Sequence, residues 1–526
     1  MIHINNIKAE IGNDDINSLV CKILNIIPED VIKISIRRKS IDARKKDKIH
    51  YLYTVDITVK NEKLVLKKCR DKNVSLSSYE KYEILDIGVS MKHRPVIVGF
   101  GPAGMFAGLV LAQKGLRPII IERGKSVDKR TKDVEYFWNG GKFNPESNVQ
   151  FGEGGAGTFS DGKLTTRVKD LRCSYVTECF VKAGAPEEII YDAKPHIGTD
   201  KLKTVVKNIR KEIIDLGGEI KFESKLTDIE IKNGAVEAAI INGSEKIITN
   251  DIIIAVGHSA RDTFRMLYQK KIMLEQKPFA AGIRIEHRQC DINSSQYGDA
   301  ADKLPAADYM LTYTTKKGRG VYSFCMCPGG YVVAASSENG RLVVNGMSEY
   351  SRDGENANSA LLVQVYPEDF ESDNPLAGIE FQRRIEEKAF EAGGGGFRAP
   401  IQKYGDFKVG RITEIEGEIR HSYKPGITFA DLNQVLPEFI SDSIKEAMPV
   451  FGTKIKGFDC DDAILTGVET RSSSPVRITR NIENGYSISV KGLYPAGEGA
   501  GYAGGIISAA VDGIRQAEKV IINNGC

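Results

Sequence analysis

At 526 residues the chain exceeds what one ordinary hydrophobic core accommodates, so two to four domains are expected. Hydrophobic residues at 41% and charged residues at 27% give the balance of a soluble globular protein, and a net charge of +3 singles out no class of partner. Nine cysteines without a CxxC pair or a metal-like Cys/His spacing exclude a disulfide framework and a zinc site, so no metal is expected.

The start, Met1-Ile2-His3-Ile4-Asn5-Asn6, lacks the basic and apolar regions of a signal peptide, and a cytoplasmic location is expected. Residues 1–92 hold 18 Lys+Arg against 13 Asp+Glu, so the positive excess sits there. Patterning in this segment predicts strand Ile2–Ile11, helix Asp14–Ile26, strands Val31–Arg38 and His50–Val59, helix Glu62–Asp71 and a last strand near Tyr82–Leu85. That order, βαββαβ, predicts a small ferredoxin-like domain over residues 1–90 that folds apart from the rest. Between its middle strands Arg37 to Lys48 carries seven basic residues. A solvated hairpin and a docking surface for an acidic partner or RNA both fit that run.

A new unit begins after Lys92, with a buried strand Pro95–Gly99, a helix Ala103–Gly115 and a second strand Arg117–Glu122. Val96 to Ala112 is uncharged, but it contains Pro102 and four glycines and falls short of the ~20 residues of a membrane span. Ile220–Leu226, Glu237–Ile241 and Asp251–Val256 are predicted as further strands of the same unit. From Ala280 to Tyr366 short strands alternate with turns such as Pro328-Gly329-Gly330 and Asn339-Gly340, which predicts an antiparallel sheet. A charged helix follows over Leu376–Ala392, with further helices from Phe429 to Pro449. The chain closes with strand Lys491–Tyr494, a glycine turn and a helix from Gly505 to about Ile522.

Three stretches match GxGxxG, and their surroundings separate them. Gly99-Phe100-Gly101-Pro102-Ala103-Gly104 follows an apolar strand, opens a helix, and precedes a second strand ending at Glu122, 23 residues after Gly99. There Gly99 makes the tight turn, Gly101 lets backbone amides reach a pyrophosphate, and Gly104 allows helix and strand to pack. The helix start, Pro102 and Ala103, offers unpaired N–H groups to phosphate. Glu122 is placed to accept both hydroxyls of an adenosine ribose, with Arg123 beside it. Gly152-Glu153-Gly154-Gly155-Ala156-Gly157 lacks both strand and helix; a loop against a ligand, through Gly154 and Gly155, and a plain mobile loop both fit it. Gly499-Ala500-Gly501-Tyr502-Ala503-Gly504 has a strand before and a helix after, but no second strand. It could complete the first sheet and aim Gly504, Gly505 and Ile506 at the same ligand; a simple packing helix is the alternative.

An ADP-binding βαβ near one end and a strand–glycine–helix near the other resembles the layout of FAD proteins of the glutathione-reductase type. In that layout Gly497 and Glu498 stand where the ribityl chain or phosphates lie. Asp251–Val256 with Gly257-His258-Ser259 resembles the strand that passes the cofactor. The whole chain, moreover, resembles one family of bacterial FAD-dependent dehydrogenases with a small N-terminal domain and no settled substrate. The resemblance rests on Ser40-Ile41-Asp42-Ala43-Arg44-Lys45-Lys46, on Phe151 to Lys163, on Cys325-Met326-Cys327-Pro328-Gly329-Gly330, on Thr470 to Arg477, and on Pro495 to Gly501. It implies FAD, redox chemistry, and a fold of the glutathione-reductase and p-hydroxybenzoate-hydroxylase kind.

The expectation is therefore an α/β protein. A Rossmann-like FAD-binding domain (91–275, closed by 461–526) carries a β-rich, α+β substrate domain (276–460) and the N-terminal α+β ferredoxin-like domain. The leading reading is an FAD-dependent dehydrogenase or reductase of a small organic molecule, with NAD(P)H or a protein as electron donor. A flavin monooxygenase using NAD(P)H without a dedicated domain, and an RNA-binding flavoprotein, are the alternatives; nucleic acid is the less favoured partner. Arg471 is a candidate cation beside the flavin, with an ordinary surface or phosphate-binding role as the alternative. Cys325 and Cys327, two apart on a strand, would have Cα atoms at about 6.6–6.8 Å with parallel Cβ vectors, which argues for core thiols over a redox disulfide. No catalytic acid or base is singled out; His196, His258 and His421 are expected to be structural.

Overall fold

A computed structural model describes residues 1–78 and 80–525. The first segment contains β1 (Ile2–Glu10), α1 (Ile16–Leu24), β2 (Val31–Asp42), β3 (His50–Val59), α2 (Glu62–Lys68) and β4 (Val74–Leu76). Its sheet runs β2-β3-β1-β4 and is antiparallel, the ferredoxin-like arrangement. The fourth strand lies upstream of the predicted Tyr82–Leu85. Tyr82, Ile84, Ile87 and Val89 instead pack into the core of the next domain, and the Tyr82 hydroxyl donates to Glu518 at 2.7 Å.

The small domain is also not detached. The amide of Lys39 donates to Tyr191 O at 2.7 Å, and that of Ala193 to Lys39 O at 2.8 Å. Around the tip of the β2–β3 hairpin, Ile41, Ala43 and Ile49 pack on the core of the large sheet. The basic run is thus partly an interdomain contact, because its apolar residues are interleaved with the charges.

The second domain starts with β5 (Val96–Val98), α3 (Pro102–Gln113), β6 (Ile119–Ile121), α4 (Val127–Trp138), α5 (Arg172–Lys182) and α6 (Thr199–Asp215). It continues with β7 (Glu219–Lys221), β8 (Leu226–Lys232), β9 (Ala235–Ile241), β10 (Glu245–Ile248), β11 (Ile252–Ile254), α7 (Arg261–Gln269) and β12 (Leu274–Gln276). The third segment supplies β13 (Phe279–Arg288), α8 (Gln289–Tyr297), β14 (Thr312–Thr314), β15 (Gly320–Cys327), β16 (Tyr331–Ala334), β17 (Val344–Met347), β18 (Asn356–Val365) and α9 (Ala377–Ala392). After it come β19 (Ala399–Lys403), α10 (Tyr404–Phe407), β20 (Ile427–Phe429), α11 (Leu432–Val435), α12 (Glu438–Lys454), β21 (Ile464–Glu469), β22 (Val476–Ile478), β23 (Leu493–Pro495) and α13 (Ile506–Asn523).

A parallel sheet, β23-β11-β5-β6-β7, forms the nucleotide-binding core. The predicted strand at Glu237–Ile241 is not part of it; β8, β9 and β10 form their own antiparallel meander. The third segment forms a sheet of order β14-β15-β18-β13-β21-β19-β20, antiparallel except where β19 meets β20. Since β21 pairs with β13, the chain leaves this domain after Glu469, not at residue 461. The two sheets are joined by a buried charge cluster. Arg261 on α7 and Arg471 after β21 both grip Glu386 on α9, at 2.8–3.0 Å. Among the described residues no helix is long and apolar enough to cross a membrane.

Candidate functional site

Two of the three fingerprint glycines are required by packing. Gly99 has φ +100°, and a Cβ on it would lie 2.6 Å from Ala255 O. A Cβ on Gly104 would lie 1.9 Å from Gly99 O, so α3 presses directly on the turn. Gly101 differs: its Cβ would meet only Gly155 Cα at 3.7 Å, an ordinary contact beside open space. Gly101 is the N-cap of α3, Pro102 fills the first position, and no side chain caps the helix. The first-turn amides, at Ala103 and Gly104, are left for an anion.

The second glycine loop lies on the first. Gly154 N donates to Phe100 O at 2.8 Å, and Gly155 faces Gly101. Arg130, fully buried on α4, shapes this loop from within. It donates to the carbonyls of Asn148, Val149, Glu153 and Gly155 at 2.7–3.0 Å, and burial brings its pKa down to about 10. Beside it the Glu153 carboxylate accepts from Val127 N and Arg210, while burial pushes its pKa up. Neither residue was singled out from the sequence, because nothing local marks an Arg that folds back over a loop some twenty residues later.

Glu122 sits at the end of β6, but its carboxylate is already engaged. It accepts from Phe100 N and Gly124 N at 2.9 Å and from Gly152 N at 3.0 Å. Oε1 takes two amides and Oε2 one, so room remains for one ribose hydroxyl instead of the two expected. Arg123 is likewise committed: it pairs with Asp262 and Glu146 at 2.8–2.9 Å and its guanidinium lies 4.1 Å from the Phe151 ring centre.

The closing motif reaches the same edge of the sheet. A Cβ on Gly499 would lie 1.9 Å from Val256 O, and one on Gly513 would lie 2.0 Å from Ala103 O. Helix α13 therefore crosses α3 in backbone contact, the middle of α13 lying on the first turn of α3. Gly497 N donates to Asp512 at 2.7 Å, and Arg480 clamps the same carboxylate. Glu498 accepts from His258 Nδ1 at 2.8 Å; His258 is buried and its Nε2 has no partner. Gly504, Gly505 and Gly257 have nothing within 4 Å of a Cβ position, while Ile506 packs on Gly157.

Next to Gly504 and Gly505 opens a cavity of about 530 Å³, which Thr165, Arg167, Lys277, Tyr502 and Ser508 also line. Burial, with Arg477 nearby, lowers the Lys277 ammonium below the ordinary lysine value. Arg471 is not at this cavity's wall. Its guanidinium is spent on Glu386, Ser259 and Ser337, so the expected flavin-side cation is a structural one.

Two uncapped helix N-termini, α3 and α13, thus flank a strip of backbone that a Cβ would fill at Gly101, Gly257, Gly504 and Gly505. That strip fits an extended dinucleotide with its phosphates on the amides. The fold is that of an FAD-dependent flavoprotein.

A family model described as "FAD-dependent protein, C-terminal domain-like" matches residues 278–472, and a domain of unknown function matches residues 1–58. A protein of Clostridium beijerinckii described as uncharacterized is 54% identical over 527 residues, covering 99% of this chain and 98% of that one. The chain belongs to this relative's family of FAD-dependent proteins, and FAD is its cofactor. Among solved structures, glycine oxidase of Bacillus cereus is 11% identical, covering 82% of this chain and 96% of that chain, with a TM-score of 0.35. An FAD complex of the halogenase PltM is 10% identical over 82% and 70% of the two chains, with a TM-score of 0.41. At such scores these likenesses say nothing about chemistry.

Proposed function

We propose that this protein is an FAD-dependent oxidoreductase, a dehydrogenase or reductase acting in the cytoplasm on a small organic substrate. The observation that carries the reading is the cavity at the start of α13, bounded by glycine backbone on one side and by Lys277, at the entry to the substrate domain, on the other. The bound flavin supplies hydride or electron transfer.

The protein's own residues bind, orient and enclose. Amides at Ala103 and Gly104, with the small residues Gly101, Pro102, Gly154 and Gly155 around them, receive the pyrophosphate. Glu122 takes one ribose hydroxyl, and Gly99 and Gly497 hold the turns. Glu498, fixed by His258, would with Gly257 hold the polar chain of the cofactor. Gly504, Gly505 and Ile506 open α13, whose partial positive charge would stabilise negative charge on a bound flavin. Lys277 and Arg167 favour an anionic group on the substrate side.

The test is anaerobic reduction of the FAD-loaded protein by NADH, NADPH and candidate substrates, followed by absorbance. Bleaching by a small molecule and its reversal by an oxidant are expected. With one complete dinucleotide fold, no tight separate NADPH site is expected by calorimetry. A flavin that no electron donor reduces, or NADPH oxidation coupled to oxygen insertion into a product, would overturn this reading.

A further inference from the structure

On a regular strand, Cys325 and Cys327 would point the same way and stay apart. Strand β15 is not regular there. Its ladder with β18 steps from Phe324↔Ala360 to Cys327↔Asn358, three residues against two, which is a bulge. Cys325 takes φ +43°, a left-handed conformation that a non-glycine residue rarely adopts. Bulges re-aim side chains, and this one turns the Cys327 thiol back onto the Cys325 backbone. Cys327 Sγ lies 3.2 Å from Cys325 O.

Two cations are built into the same place. Arg284, wholly buried and fixed by Asn358 and Glu469, donates to Cys325 O at 2.7 Å and stands 3.7 Å from Cys327 Sγ. Lys163 comes from the second glycine loop. Its buried Nζ makes no hydrogen bond, lies 3.4 Å from Asp161, and exerts its charge on both sulfurs. Hydrogen bonding from Cys327, with Arg284 and Lys163 nearby, draws the Cys325 thiol below its ordinary value against the effect of burial. Cys327 is pushed well above. Cys325 is half-buried and Cys327 buried, so Cys325 is the more accessible of the two.

The loop that carries Lys163 also places Gly157 against Ile506 at the start of α13, and Thr165 in the wall of the cavity. We propose that Cys325 and Cys327 form a redox dithiol that exchanges an electron pair with the FAD. On oxidation the two sulfurs form one S–S bond and release two protons and two electrons, and the oxidised FAD accepts that pair. In the reverse direction the pair returns, the S–S bond breaks, and two thiols are regenerated. The proposal rests on FAD as cofactor but on no particular organic substrate.

The experiment is an anaerobic dithionite titration of air-oxidised, FAD-loaded protein, with alkylation and peptide mass mapping at each end. Wild type is expected to take up two electron pairs per FAD, and Cys325→Ser and Cys327→Ser one each. The peptide bearing both cysteines should resist alkylation when oxidised and take two adducts when reduced. In the reduced protein, Lys163→Gln should slow alkylation of Cys325 near neutral pH by roughly several-fold, since the thiolate is the reacting form. One electron pair in wild type would overturn the proposal, whether the cysteines alkylate freely in air or pair without titrating alongside the flavin. If a serine variant fails to fold, wild-type stoichiometry and mass mapping still decide. Both readouts are independent of whether any organic substrate reduces the flavin, so failure of the oxidoreductase reading is distinguishable.

Discussion

Replacing Glu386 with Gln keeps the side chain's shape and removes one buried charge, with a calculable consequence. The carboxylate is 0% exposed and accepts from Arg261 at 2.8 and 2.9 Å, from Arg471 at 2.9 and 3.0 Å, and from Thr470 at 2.7 Å. The variant leaves two buried guanidiniums with Glu338 as their remaining carboxylate partner. Breaking a buried pair in this way costs about 3–5 kcal/mol. At roughly 2–4 °C per kcal/mol for a unit of 150–250 residues, the thermal midpoint should fall by on the order of 6–20 °C. Calorimetry of wild type and variant at pH 7 measures this. The pH dependence is a second check. Against the upward push of burial, Arg261 and Arg471 hold the Glu386 carboxyl well below the usual range. Its folded value thus lies below its unfolded value, so the stabilisation is complete above about pH 4.3 and is lost as pH falls toward the folded value. The gap between the proteins should be constant from pH 6 to 8 and close in acid. A fall of under about 2 °C at pH 7, or a gap that widens below pH 4, would refute the reasoning.

Gly101→Val should fold, since its Cβ meets only Gly155 Cα at 3.7 Å, yet lose FAD because the side chain fills the cradle; the ratio of flavin to protein absorbance reports this. Gly104→Ala, whose Cβ would lie 1.9 Å from Gly99 O, should instead reduce soluble yield. Glu122→Ala should weaken FAD retention and also lower stability by about 1–3 kcal/mol for each amide left unpaired, read by urea unfolding in the absence of FAD. A fragment starting at residue 91 should aggregate, because it strips Tyr82, Ile84, Ile87 and Val89 from the core. One starting at residue 80 should stay soluble and hold FAD. Equal behaviour of the two fragments would show that this segment contributes nothing.

What could be read from the sequence follows how far each signal travels along the chain. The Gly99–Gly104 turn, its strand and its helix were legible because each residue's role depends on neighbours a few positions away. The antiparallel character of the substrate sheet was legible from turn chemistry at Pro328-Gly329-Gly330. The boundary at residue 461 failed because β21 pairs with β13, nearly two hundred residues upstream, and no local pattern records that pairing. The partners of Glu122, Arg123 and Arg471 were not legible for a related reason. A charged residue near a ligand site has to be neutralised by something, and Gly152, Asp262 and Glu386 come from distant segments. The cysteine pair shows the same limit within a strand. The spacing argument against contact between Cys325 and Cys327 was sound for a regular strand, and the strand is made irregular by Arg284, which reaches across from β13 to hold Cys325 O. Period-two reasoning therefore fails where a buried charge from a neighbouring strand can bind a backbone carbonyl and stabilise a bulge. In this fold that irregularity falls where Cys325 and Cys327 meet Arg284 and Lys163.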